Sequence, residues 1–119
     1  MELEFDITQS FSNDMDHLPV GQRQNVSDQI NLVSKSLLNG QTAFKENSSV
    51  PYIFNLKHGF DSSLYVVKAD QNNRMIISID EDPVFDKISL TFFRLVDKNE
   101  AEKTYKEVGE NIYRGSGIL

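Results

Sequence analysis

The chain has no cysteine, no tryptophan and only three prolines among its 119 residues. Without cysteine there can be no disulfide, no thiolate-bound zinc and no cysteine nucleophile. That composition suits a reducing compartment. No stretch approaches the roughly 20 consecutive apolar residues that a membrane-spanning helix needs. The first residues, Met1-Glu2-Leu3-Glu4-Phe5-Asp6, alternate acid with apolar and lack the basic-then-apolar pattern of a secretory leader. The expectation is a cytoplasmic domain. Basic side chains are also scarce in the first half, where residues 1–55 hold only Arg23, Lys35 and Lys45.

What is present is ordinary for a globular domain: 39% hydrophobic, 25% charged, eight phenylalanines, net charge −6. The length fits one domain with a core of its own, and residues 1–119 are read as a single unit. A net negative charge disfavours strong non-specific binding to nucleic acid. The other nine basic residues all fall within 56–119, beside eleven acidic ones, so a local cationic patch can form there.

Hydrophobic periodicity places the elements. Leu3, Phe5 and Ile7 alternate with polar residues and predict a strand. Ser10 or Ser12 can cap a short helix that carries Phe11, Met15 and Leu18 on one side. Pro19 and Gly21 break it. Val26, Ile30, Val33, Leu37 and Leu38 predict a second helix over about Gln22–Leu38, closed by Asn39-Gly40. Residues 41–51 read as a loop, and Tyr52, Phe54 and Leu56 as an extended segment ending at His58-Gly59. Three strands follow, Leu64–Ala69, Arg74–Ile79 and Ile88–Val96, joined by Asp70-Gln71-Asn72-Asn73 and Asp80-Glu81-Asp82-Pro83. Ala101, Tyr105, Val108 and Ile112 predict a last helix over about Asn99–Tyr113, with residues 114–119 as a frayed tail. The predicted fold class is α+β: an antiparallel β-meander in a two-layer arrangement, with all helices on one face of the sheet.

The chemistry-bearing residues are few. Asp80, Glu81 and Asp82 lack the ligand spacing of a calcium loop and read as an acidic turn. His17 and His58 lack zinc spacing, and no metal or cofactor is expected. There is no phosphate-cradling glycine loop and no nucleophile elbow. The basic set Lys57, Lys68, Arg74 and Arg94 lies on or beside predicted strands. Strand alternation puts Lys68 with Leu64 and Val66, and Arg74 with Ile76 and Ser78. Lys68 and Arg74 flank one turn and can grip a phosphate together, or stand as two solvated charges. Of the adjacent Phe92 and Phe93, only one can face a single helix layer, so the other needs a different cover. Tyr105 on the last helix reads as core.

The order of these elements and three short motifs resemble the RelE/ParE superfamily of bacterial toxins. The motifs are Leu56-Lys57-His58-Gly59, Leu64-Tyr65-Val66-Val67-Lys68 and Arg74-Met75-Ile76-Ile77-Ser78-Ile79-Asp80. The third strand, Leu90–Val96, and a helix bearing Tyr105 complete the likeness, which covers most of residues 2–113. It implies the toxin component of a type II toxin–antitoxin pair. One branch is ribosome-dependent mRNA endonucleases that block translation; another inhibits DNA gyrase and cleaves nothing. In the cutting branch basic residues stabilise charge on the scissile phosphate while the 2′-hydroxyl attacks. Carried onto this chain, Lys68, Arg74 and Tyr105 are the implied catalytic residues, and Lys57, Arg94 and Lys98 the implied RNA contacts. Val66 and Asp97-Lys98-Asn99-Glu100 stand where the family often has further basic residues. A non-catalytic binding toxin, or an unrelated interaction domain, therefore stays open beside the nuclease. The implied partners are a cognate antitoxin, laid against the sheet and last helix near Phe60 and an exposed third-strand aromatic, and the ribosome with its mRNA, or DNA gyrase.

Overall fold

The computed structural model describes residues 2–38, 64–82 and 84–115. Along these, β1 (Glu2–Ile7), α1 (Gln9–Asp16) and α2 (Val20–Leu38) precede β2 (Leu64–Lys68), β3 (Asn73–Asp82), β4 (Lys87–Asp97) and α3 (Ala101–Gly115). The predicted loop over 41–51, the extended segment with Lys57 and His58, and the region of Phe60 lie outside the described residues. So does the tail beyond Gly115, although α3 runs two residues past its expected end.

The cap of α1 is Thr8 rather than Ser10 or Ser12. Its hydroxyl accepts the Phe11 N–H at 3.1 Å, satisfying one of the helix's first-turn donors. The same hydroxyl lies 2.9 Å from the Phe93 carbonyl of β4, so the cap also ties the helix to the sheet. Between α1 and α2 the turn is closed by Arg23. Its Nε donates to the Leu18 carbonyl and its Nη2 to the Asp16 carbonyl, both at 2.9 Å. The Asp16 carbonyl is one that the end of α1 leaves unpaired, and the Leu18 carbonyl belongs to the turn itself.

β2, β3 and β4 form the expected antiparallel meander, with Lys68 opposite Arg74 and Asn73 opposite Asp97. β1 adds in parallel to β4, Leu3 beside Ile88 and Ile7 beside Phe92, so the sheet is mixed and ordered β1-β4-β3-β2. Where Ile76 pairs with Arg94 and Ile77 with Phe92, Phe93 is an extra residue, a β-bulge.

The helices do not share one face of this sheet, which corrects the two-layer expectation. α1 and α2 pack Phe11, Val26, Val33 and Leu37 on Val67, Met75, Ile77, Leu90 and Phe92. α3 packs Ala101 and Tyr105 on Leu64, Val66 and Ile76, the side chains of the opposite pleat. Phe92 and Phe93 are both covered for that reason. Phe92 lies 5.5 Å from Phe11, ring to ring, while Phe93 joins the α3 side. The third-strand aromatic that was expected to stand exposed is half-buried under α3. Among the described residues no helix is long and apolar enough to cross a membrane.

Candidate functional site

The β2–β3 turn is shaped by one carboxylate. Asp70 Oδ1 accepts the N–H groups of Asn72 and Asn73, each at 2.8 Å, and the Asn73 amide as well. Burial pushes the Asp70 carboxyl up. The hydrogen bonds from Asn73 and Asn72 and the nearby Arg74 guanidinium outweigh it and hold the group below its usual range. The turn therefore keeps its charge and its shape over the physiological range.

Arg74 leaves this turn as a half-buried side chain whose Nη1 donates to the carbonyls of Asp70 and Asn73, at 2.9 and 3.0 Å. Two backbone acceptors fix the guanidinium without neutralising it. Lys68, its direct cross-strand partner, is exposed and makes no ion pair among the described residues. Cross-strand pairing puts both cations on the same face, the one α3 also uses. Lys98 sits at the same end, because its N–H donates to the Asn72 carbonyl at 2.8 Å. Three implied site residues thus meet at one end of the sheet, with Asp70 and Asp97 beside them. Two like charges directly opposite each other are mutually unfavourable and gain from a shared anion.

Arg94 is placed differently. Its Nε donates to Asp14 Oδ2 at 2.7 Å and its Nη2 to Asp14 Oδ1 at 3.2 Å, a two-pronged pair with α1. That hydrogen bonding raises the arginine's pKa against the opposing effect of burial, with further help from the charges of Asp14 and Glu107. Asp14 Oδ2 also accepts the Leu95 N–H at 2.9 Å. β1 stops at Ile7, so from Phe93 onward α1 replaces it as the partner of β4, through Thr8 and Asp14. Neither residue was singled out from the sequence. A carboxylate five residues past a helix start carries no local sign of a partner 80 positions away.

Tyr105 is fully buried, and its hydroxyl donates to the Leu64 carbonyl at 2.7 Å. It meets β2 inside the core rather than facing Lys68 and Arg74 across open space. Lys57 lies outside the described residues. No cluster of His, Asp and Glu able to hold a metal occurs among those described.

Protein-family models, curated proteins and solved structures give no match to this chain. One further concavity, a cleft of about 360 Å³, lies between the start of α1, the β4 bulge and the second half of α3. Phe93, Val108 and Ile112 line it with apolar surface, and Thr8, Arg94 and Glu107 with polar groups. It is separate from the Lys68–Arg74 end and holds the arginine that Asp14 already engages.

Proposed function

We propose that this protein is the toxin of a type II toxin–antitoxin pair of the RelE/ParE kind, acting in the bacterial cytoplasm on mRNA at the ribosome. The observation that carries this reading is the Lys68–Arg74 pair: two cations opposed across adjacent strands, one pinned by backbone carbonyls and the other unpaired among the described residues. A phosphate set between them receives charge-assisted hydrogen bonds from both, and Arg74 is already oriented by its two carbonyls. When a 2′-hydroxyl attacks the neighbouring phosphorus it gives its proton to solvent, the P–O5′ bond breaks and the leaving 5′-oxygen takes a proton from solvent, so that a 2′,3′-cyclic phosphate and a 5′-hydroxyl end result. Between these states negative charge grows on the non-bridging oxygens. Fixed cations at that point stabilise the transition state more than the ground state. Lys98 extends the cationic edge along the RNA backbone. Tyr105 takes no part in the chemistry in this proposal, and Arg94 serves the fold.

A second reading, a toxin that binds its target and cleaves nothing, is favoured by those same two placements, since both remove groups the nuclease chemistry would use. The test is tightly controlled induction in a bacterial host, comparing wild type with Arg74→Ala, with 5′-end mapping of cellular mRNA. Growth arrest with new mRNA ends, both lost in Arg74→Ala, is the expected result. Arrest without new ends selects the binding reading, and inhibition of gyrase supercoiling would name its target. A fully toxic Arg74→Ala protein would sink the cationic site.

A further inference from the structure

We propose that the outer edge of β1 is a docking site for an extended segment of another protein in which basic and apolar side chains alternate. β1 is the last strand of the sheet and pairs only with β4 on its inner side among the described residues. Its other edge carries backbone N–H and C=O groups that a further strand can pair with. Edges of this kind are commonly blunted by proline, a bulge or charged side chains, lysine above all. Glu2-Leu3-Glu4-Phe5-Asp6-Ile7 has no proline and an unbroken register with β4 over six residues, and its only charges are acidic, which turn away another acidic strand but not a basic one.

The side chains of β1 say what would fit. Leu3, Phe5 and Ile7 share the pleat that faces α1 and α2, yet those helices cover only the first of them. Leu3 packs against the core, while Phe5 and Ile7 remain 51% and 52% exposed. Phe5 already stacks on Phe92, with ring centroids 6.3 Å apart and planes within 16°, so it is an ordered apolar surface. The opposite pleat presents Glu2, Glu4 and Asp6, all exposed. Lys87 engages Glu4 at 2.8 Å, whereas Glu2 and Asp6 make no ion pair among the described residues.

Charge selects among possible occupants. A second copy of the chain, pairing β1 with β1 and keeping apolar residues on one face, must set carboxylate against carboxylate on the other, which is unfavourable for directly opposed residues. An edge with three acids in six residues therefore rejects itself. A segment that alternates lysine or arginine with isoleucine, valine or phenylalanine extends the sheet and covers Phe5 and Ile7. It also pairs Glu2 and Asp6, and an overall charge of −6 attracts it. The proposal is independent of the RNA reading, since Lys68 and Arg74 lie at the β2–β3 turn and none of β1 is involved there.

The probe is a capped eight-residue peptide alternating lysine and isoleucine, set against its counterpart alternating glutamate and isoleucine. Hydrogen exchange on the full-length protein is the readout. The expected result is slowed exchange within residues 2–7 with the lysine peptide alone, weakened at least tenfold in affinity by Glu2→Lys with Asp6→Lys. That double variant should instead take the glutamate peptide. Circular dichroism confirms that it folds, both positions being solvent-exposed. Equal binding of the two peptides, protection that maps elsewhere, or no binding overturns the proposal. Protection of residues 2–7 in the free protein that grows with its concentration also overturns it, in favour of a second copy.

Discussion

Two arginines on neighbouring strands meet opposite fates. Arg74, at the turn end of the sheet, is held by two backbone carbonyls and keeps its charge on offer beside Lys68 and Lys98. Arg94, at the β4 bulge, is held by the Asp14 carboxylate and closes the seam between α1 and the sheet. Tyr105 belongs with Arg94, because its hydroxyl is also tied to the fold. The lesson is that residue type on a strand does not set availability. What matters is whether the fixing partner is neutral or carries the opposite charge.

The largest test of that contrast is Tyr105→Ala. Truncating a fully buried aromatic leaves a cavity and should cost about 3–5 kcal/mol, measured by urea unfolding. Tyr105→Phe keeps the packing and removes the hydrogen bond from the Tyr105 hydroxyl to the Leu64 carbonyl. It should cost about 1–2 kcal/mol while leaving any growth arrest intact. Loss of arrest in a folded Tyr105→Phe protein would return the hydroxyl to the chemistry.

Asp14→Ala comes next. It deprives both the Arg94 guanidinium and the Leu95 N–H of their acceptor, and a loss of about 2–3 kcal/mol is expected after allowing for the partial exposure of the pair. Arg94→Ala should cost less, since Asp14 keeps the Leu95 N–H. A double-mutant cycle should return a coupling of about 1 kcal/mol. Equal losses in the two single variants would mean that the strand-edge bond contributes nothing.

At the turn end the expected effects on stability are smaller. The native pKa of Asp70 is lowered, so its contribution is fully present above the ordinary value of 3.8 and is lost as pH falls through the lowered native value. The melting-temperature gap between wild type and Asp70→Ala should be constant from neutral pH down to about that value and then shrink. A gap unchanged down to pH 2 would show that the carboxylate's charge is irrelevant to the turn. Lys68→Ala should change stability by no more than about 0.5 kcal/mol, because the side chain is exposed and unpaired among the described residues. It should nevertheless reduce growth arrest as Arg74→Ala does. A destabilised Lys68→Ala protein would place Lys68 on the Arg94 side of the comparison.

How much of this was legible in advance varies with the range of the interaction. Period-two runs around Val66, Ile77 and Leu90 marked the meander, and period-3.6 stripes marked α1, α2 and α3, because local alternation reflects which side is buried. The pairing of Lys68 with Arg74 followed from their flanking one short turn. Thr8 was passed over as the α1 cap because Ser10 and Ser12 are equally good capping residues, and only the sheet contact singles out Thr8. The second helical layer was missed because a stripe on α3 shows that a face is buried without showing against which pleat. The pattern Leu64, Val66, Ile76 beside Val67, Met75, Ile77 was the available signal. Strands that are apolar on both sides need cover on both sides.

Sequence alone, then, determined the elements, their order, the antiparallel meander, the absence of thiol chemistry and the cationic turn, all of which rest on neighbours within a few residues or on composition. The tertiary structure decided the parallel addition of β1 to β4, the placement of α3 opposite α1 and α2, the burial of Tyr105 and the capture of Arg94 by Asp14. Each of these depends on groups far apart in the chain, 41 positions for Tyr105 with Leu64 and 80 for Asp14 with Arg94. Such contacts are selected by the packing of whole faces, and no local pattern of residues encodes their partners.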